Sequence, residues 1–156
     1  MAEQLADAQR RDEIEKLIRS NDADSLLKHL RSLMDKNVTP EEASRSFDGM
    51  TRIIEHLNSI SITGEERTRL KILEIDVSFG SYAFEQTFGT KFENSKMDVR
   101  EFVKQLSRDR DTKVSAAAHA TLVGIDAFNL RKEGSEENFF KFIDTCLLYT
   151  SDAADE

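Results

Sequence analysis

Along most of the chain, apolar residues recur at three- and four-residue intervals, the period of an α-helix. Ile14, Leu17 and Ile18 mark a first helix within about residues 3–19, broken at Asn21-Asp22, where Asp22 is placed to cap the next. Leu26, Leu27, Leu30, Leu33 and Met34 then fall on one stripe. Thr39-Pro40-Glu41-Glu42 combines a cap hydroxyl, a proline at the first helical position and a glutamate that can reach back to the cap amide. Ala43, Phe47, Met50, Ile54 and Leu57 follow on one face, and Thr63-Gly64-Glu65-Glu66 repeats the capping pattern. The fourth helix carries two stripes: Leu70, Leu73, Val77 and Phe84 on one side, Ile72, Ile75, Phe79 and Tyr82 on the other. A helix apolar on two sides is packed on two sides, so it is expected at the centre of the molecule. Gly80 inside it predicts a close helix crossing.

Residues Gly89 to Ser95 read as a loop. Val99, Phe102, Val103 and Leu106 predict a fifth helix, and Asp111 caps a sixth whose Val114, Ala117, Ala118, Leu122, Ile125 and Phe128 face inward. Gly134-Ser135 ends that helix and caps a seventh, whose apolar face begins with Phe139, Phe140 and Ile143. No segment sustains the period-2 alternation of a strand. Helix starts near 23, 64 and 111 divide the chain into pairs with a period of roughly 40–47 residues, the range of HEAT and armadillo units. The expected fold is all-α: about seven helices forming stacked antiparallel hairpins in an α-α superhelix. An irregular seven-helix bundle remains open on this spacing.

Composition narrows the function classes. The chain has 156 residues and carries 22 Lys+Arg against 30 Asp+Glu, a net charge of −8, which argues against coating nucleic acid or binding an anionic membrane. No apolar run approaches the roughly 20 residues of a spanning helix, and the N-terminus lacks the apolar stretch of a secretory signal. A single cysteine gives no disulfide framework. The expected setting is intracellular, cytoplasmic or nuclear.

Two segments resemble known families. Residues 102–125, with Leu106, Asp109, Asp111, Val114, Ala118, Leu122 and Ile125, resemble a HEAT/armadillo unit. That resemblance implies a scaffold or adaptor without catalysis. Residues 22–84, with Leu26-Leu27, Leu30, Leu33, Val38-Thr39, Gly49-Met50-Thr51, Ile54 and Leu57, resemble the N-terminal helical bundle of the transcription elongation factor TFIIS and its integrase-binding-domain relatives. That resemblance implies a module that binds short disordered peptides at inter-helix loops, where Asn21 to Asp24 and Ile60-Ser61-Ile62 fall. Residues 146–156, CLLYTSDAADE, resemble the in-frame translation of a sequencing-library transposon adapter. The implied organisation is one helical-repeat domain over 1–145, truncated at its C-terminal end, and a non-native tail over 146–156.

Catalytic signatures are missing from the sequence. His29, His56 and His119 are widely spaced, with no second ligand at metal-binding distance along a helix. Gly89-Thr90-Lys91 lacks the upstream glycine of a phosphate loop. The paired carboxylates Glu41-Glu42, Glu65-Glu66 and Glu136-Glu137 fall in first helical turns, where the macrodipole explains them. No nucleophile elbow occurs. Arg108, Arg110 and Lys113 are interleaved with Asp109 and Asp111 and read as a solvated turn. The sequence therefore predicts no catalytic, cofactor-binding or metal-binding residue, no cofactor and no small-molecule substrate. The expected function is a protein-protein interaction scaffold or adaptor, the alternative a TFIIS-N-type peptide-binding module in transcription regulation. The expected partner is a protein or short disordered peptide. Its candidate contact residues are Asp22, Asp24, Ile60 and Ile62: two isoleucines in a connector beside two acids suit an apolar anchor flanked by Lys or Arg. The other reading of Ile60 and Ile62 is that they plug the gap between the third and fourth helices.

Overall fold

The computed structural model describes residues 2–34, 39–89, 98–133, 137 and 140–146. Among these are seven helices and no strand: α1 (Ala2–Ser20), α2 (Ala23–Met34), α3 (Pro40–Ser59), α4 (Gly64–Phe88), α5 (Val99–Leu106), α6 (Thr112–Glu133) and α7 (140–146). The Gly89 to Ser95 loop lies outside the described residues beyond Gly89, as do Gly134, Ser135, Phe139 and the tail after Cys146.

The helix ends follow the local chemistry. Asn21 turns left-handed (φ 54°) after α1, and Asp22 accepts from the Ser25 amide at 3.4 Å. The Thr39 hydroxyl accepts from the Glu42 amide at 3.3 Å, and the Glu42 carboxylate accepts from the Thr39 amide at 3.4 Å, completing the capping box. Thr63 does not repeat it: the Thr63 side chain makes no cap hydrogen bond. Gly64 takes φ 61° there, so the chain enters α4 through a left-handed residue that the sequence pattern does not disclose. Asp111 accepts from the Lys113 amide at 2.9 Å and starts α6. Asp98, which the apolar pattern does not mark, caps α5 by accepting from the Glu101 amide at 3.2 Å.

Two cores form, and α4 belongs to both. The first gathers Ile14 and Ile18 of α1, Leu26, Leu27 and Leu30 of α2, Ile53 and Leu57 of α3, and Leu70, Leu73 and Val77 of α4. The second gathers Ile75 of α4, Val103 of α5, and Val114, Ala118, Leu122 and Ile125 of α6, with Ile72, Phe79 and Tyr82 packed against it. The two stripes of α4 therefore bury in opposite directions, as a helix apolar on two sides must. The end of α3 is fastened to α4 by polar contacts: Asn58 donates its amide N–H to the buried Glu74 carboxylate at 2.9 Å, and its amide oxygen accepts from Lys71 at 3.0 Å.

Packing follows chain order. Each of α1 to α6 touches its immediate neighbour in the chain, and the longer contacts are α1 on α3, α2 on α4 and α4 on α6. At the far end, α7 is held by its penultimate residue. Thr145 is buried and donates to the Asp126 carboxylate of α6 at 2.5 Å. Phe140 and Ile143 do not face inward as the pattern suggested: they are 56% and 38% exposed.

Close approach occurs at a different glycine from the one expected. A Cβ on Gly49 of α3 would come within 2.8 Å of the Ile14 Cδ1 atom, so α1 crosses α3 there. A Cβ on Gly80 would meet no described atom within 4 Å, because Gly80 faces an open groove and not a neighbouring helix. Gly80→Ala is accordingly expected to raise stability by about 0.5–1 kcal/mol, since it removes a helix-interior glycine at no steric cost. Gly49→Ala should gain less, because Ile14 must give way. Chemical denaturation of the two variants checks both expectations, and a destabilised Gly80→Ala would contradict the open groove.

Candidate functional site

Among the described residues, cavities lie between α1 and α3, between α2 and α4, and where α2, α3 and α4 meet. The first, about 330 Å³ between α1 and α3, is lined by four arginines and three acids above Ile14 and Gly49. Its walls are tied to one another: Arg45 pairs with Asp7 at 3.1 Å and Arg52 with Glu15 at 3.0 Å. The second, about 470 Å³, lies between α2 and α4 and has Lys28, Arg31 and Arg69 over Leu27, Ile72 and Leu73. Two of its cations are engaged, since Asp24 takes Arg69 at 2.7 Å and Lys28 at 2.9 Å. The third is a groove of about 170 Å³ where α2, α3 and α4 meet. Leu33, Met34, Phe47, Met50, Val77 and Phe84 supply its apolar walls, and Asp76 is the one charged side chain among the described lining residues.

Comparison of the chain with family models, with curated proteins and with solved structures gives no match. The chemistry of these surfaces must therefore be read from the residues alone. Among the described residues, no group of three or more His, Cys, Asp or Glu side chains could hold a metal ion. Also among them, no helix is long and apolar enough to cross a membrane.

The sequence-derived contact residues sit at one end of the first core. The α1–α2 connection meets the last turn of α3 there, with His56 Nε2 3.0 Å from Asn21 Oδ1. Asp22 caps α2 and also accepts from the Ser25 hydroxyl at 2.9 Å. Asp24 is bound to Arg69 and Lys28, and hydrogen bonds to these two cations hold its carboxyl below the usual aspartate range. Ile60 and Ile62 are half-buried and pack against the first core, and the Ile62 amide donates to the Ile60 carbonyl at 3.1 Å. None of the four lines the three cavities above.

The turn at 108–111 is tied to the start of α4. Arg67 donates to both oxygens of Asp109, at 3.2 and 2.8 Å, and the Thr68 hydroxyl donates to Asp111. These bonds hold both aspartates below their ordinary range, led by Arg67 for Asp109 and by Thr68 for Asp111. A carboxyl whose folded pKa is depressed stabilises the fold above its unfolded value, and that contribution fades as pH falls through the folded value. Thermal melts should thus be flat from neutral pH down to about 5 and fall below about pH 4. Arg67→Leu should flatten part of that fall. An unchanged acid slope in Arg67→Leu would mean that the Arg67–Asp109 pair contributes nothing to it.

The groove was not legible in the sequence. Its apolar walls carry the same helical period as the core, and periodicity assigns a side to a residue without saying how tightly the neighbours close over it. The available signals were Gly80, a helix-interior glycine, and Asp76, an acid set between Ile75 and Val77.

Proposed function

We propose that this chain is a non-enzymatic protein-protein interaction scaffold or adaptor whose helices stack as hairpins in a superhelix of the HEAT/armadillo kind. The observation that carries the reading is the chain-order packing: among α1 to α6, contacts join helices no more than two positions apart. Among these six, α1 does not return onto α6, as it would in a closed bundle. Each unit touching only near neighbours is the property that gives repeat proteins their long binding faces. The helix starts at Ala23, Gly64 and Thr112 accord with this spacing. Protein or short disordered peptide is the partner class suited to such faces, in an intracellular setting.

A second reading, a TFIIS-N-type peptide-binding module, draws on the meeting of the α1–α2 connection with the last turn of α3. It would use Asp22, Asp24, Ile60 and Ile62. Affinity capture from a proteome, with the native chain and with Ile60→Ser/Ile62→Ser, separates the two. Circular dichroism first establishes that the variant is folded. Discrete protein partners retained by both chains are expected for the superhelix reading. Partners lost from the variant would favour the loop module, and the absence of any protein partner would overturn both.

A further inference from the structure

The groove between α2, α3 and α4 has a defined capacity. An apolar cavity of about 150 Å³ holds a benzene molecule, so a groove of about 170 Å³ accepts one aromatic ring. Half-buried Met34 and Met50 line it, and thioethers adapt to varied shapes and favour ring contacts. Phe84 continues the wall into Phe88, whose ring lies 4.6 Å away and is 57% exposed.

Gly80 in the α4 wall costs the fold stability, and the exposed Asp76 adds a charge beside it. Gly80 lies in a helix interior, without a positive φ and without a described atom against its absent Cβ. Asp76 lies one turn earlier on the same face. Desolvation by its surroundings raises the Asp76 carboxyl above its usual range, and Arg31 of α2 opposes that only in part. A position that weakens the native state with no packing return is where binding function is commonly found.

We propose that this groove is a peptide-docking site that seats one aromatic side chain over Gly80 and pairs Asp76 with a Lys or Arg of the same peptide. The inference rests on the protein-binding reading above and names the chemistry of one of its surfaces. The missing Cβ of Gly80 lets the ring lie against the helix backbone. The carboxylate of Asp76 supplies the matching charge at the rim, in a chain whose net charge of −8 already favours basic partners. Recognition is of the kind in which an apolar anchor enters a helical groove and a flanking charge fixes its direction.

The test is selection of a displayed random-peptide library on the immobilised full chain, followed by affinity measurement of the most enriched peptide. Enriched sequences are expected to share an aromatic residue with Lys or Arg within about one helical turn of it. Gly80→Leu puts a branched side chain into the groove, and its Cβ enters without meeting a described atom within 4 Å. It should weaken binding by about thirtyfold or more, the loss typical of a buried anchor, with no fall in melting temperature. Asp76→Asn should weaken it about threefold, and less at high salt. Hydrogen exchange on the unmodified chain gives a readout independent of any variant: the peptide should protect residues 33–34, 43–50 and 76–84. Failure to enrich aromatic-basic peptides, equal affinity for Gly80→Leu, or protection confined to the α1–α2 and α3–α4 connections would each overturn the groove. None of these results would remove partners captured from a proteome, so the broader reading stands or falls separately.

Discussion

Leu73→Ala is expected to lower the unfolding free energy by about 2–5 kcal/mol. Leu73 is 5% exposed and packs α4 against α2 and α3, so its truncation removes transfer free energy and leaves a cavity that the surrounding helices cannot fully close. Ile75→Ala, two residues along and on the opposite side of the same helix, should cost a similar amount, because Ile75 is fully buried in the second core. The pair of results is the informative part. A helix lying on the surface would show one large effect and one below about 1 kcal/mol, whereas a helix shared by two cores shows two large ones. Urea denaturation of both variants decides between them.

The second large effect is electrostatic. Asp126 of α6 is 2% exposed, and its carboxylate accepts from Arg100 Nε at 2.9 Å and Nη2 at 3.2 Å as well as from Thr145. This one carboxylate holds α5, α6 and α7 together. Arg100→Met leaves the acid buried without its cation and is expected to cost about 3–5 kcal/mol, the usual penalty for removing one partner of a buried pair. Arg100→Met/Asp126→Leu should recover much of that loss, since replacing both charges by apolar groups is often close to neutral. Thr145→Val removes one neutral donor and should cost about 1–2 kcal/mol. A double variant no more stable than Arg100→Met alone would show that the pair is not the source of the loss.

How much of this was readable in the sequence differs by feature. The two stripes of α4 and the capping box at Thr39 were legible, because each is set by spacing within a single helix. The Arg100–Asp126–Thr145 junction was not. Its members come from three helices, and no local pattern distinguishes a buried aspartate from an exposed one. The turn at 108–111 was read as solvated because its charges cancel on paper. In the fold, Asp109 and Asp111 reach across to Arg67 and Thr68, partners more than forty positions away in the chain. Gly80 was misread for the opposite reason. The usual cause of a helix-interior glycine is a crossing, and the crossing is at Gly49. Of Asp22, Asp24, Ile60 and Ile62, the sequence pattern shows the cap role of Asp22, whereas the Arg69 partner of Asp24 lies 45 positions away and carries no local signal.

The position of α4 in chain order has a consequence for synthesis. Everything the first core needs precedes α5 and α6 in the chain, so it leaves the ribosome before they do. At about 5–20 residues per second, the ribosome takes a few seconds to supply them. During that interval Ile72, Ile75, Phe79 and Tyr82 have no partner helices, and a nascent chain already closed on one side presents a continuous sticky strip on the other. That strip is the surface through which chains lacking α5 and α6 would cling to one another.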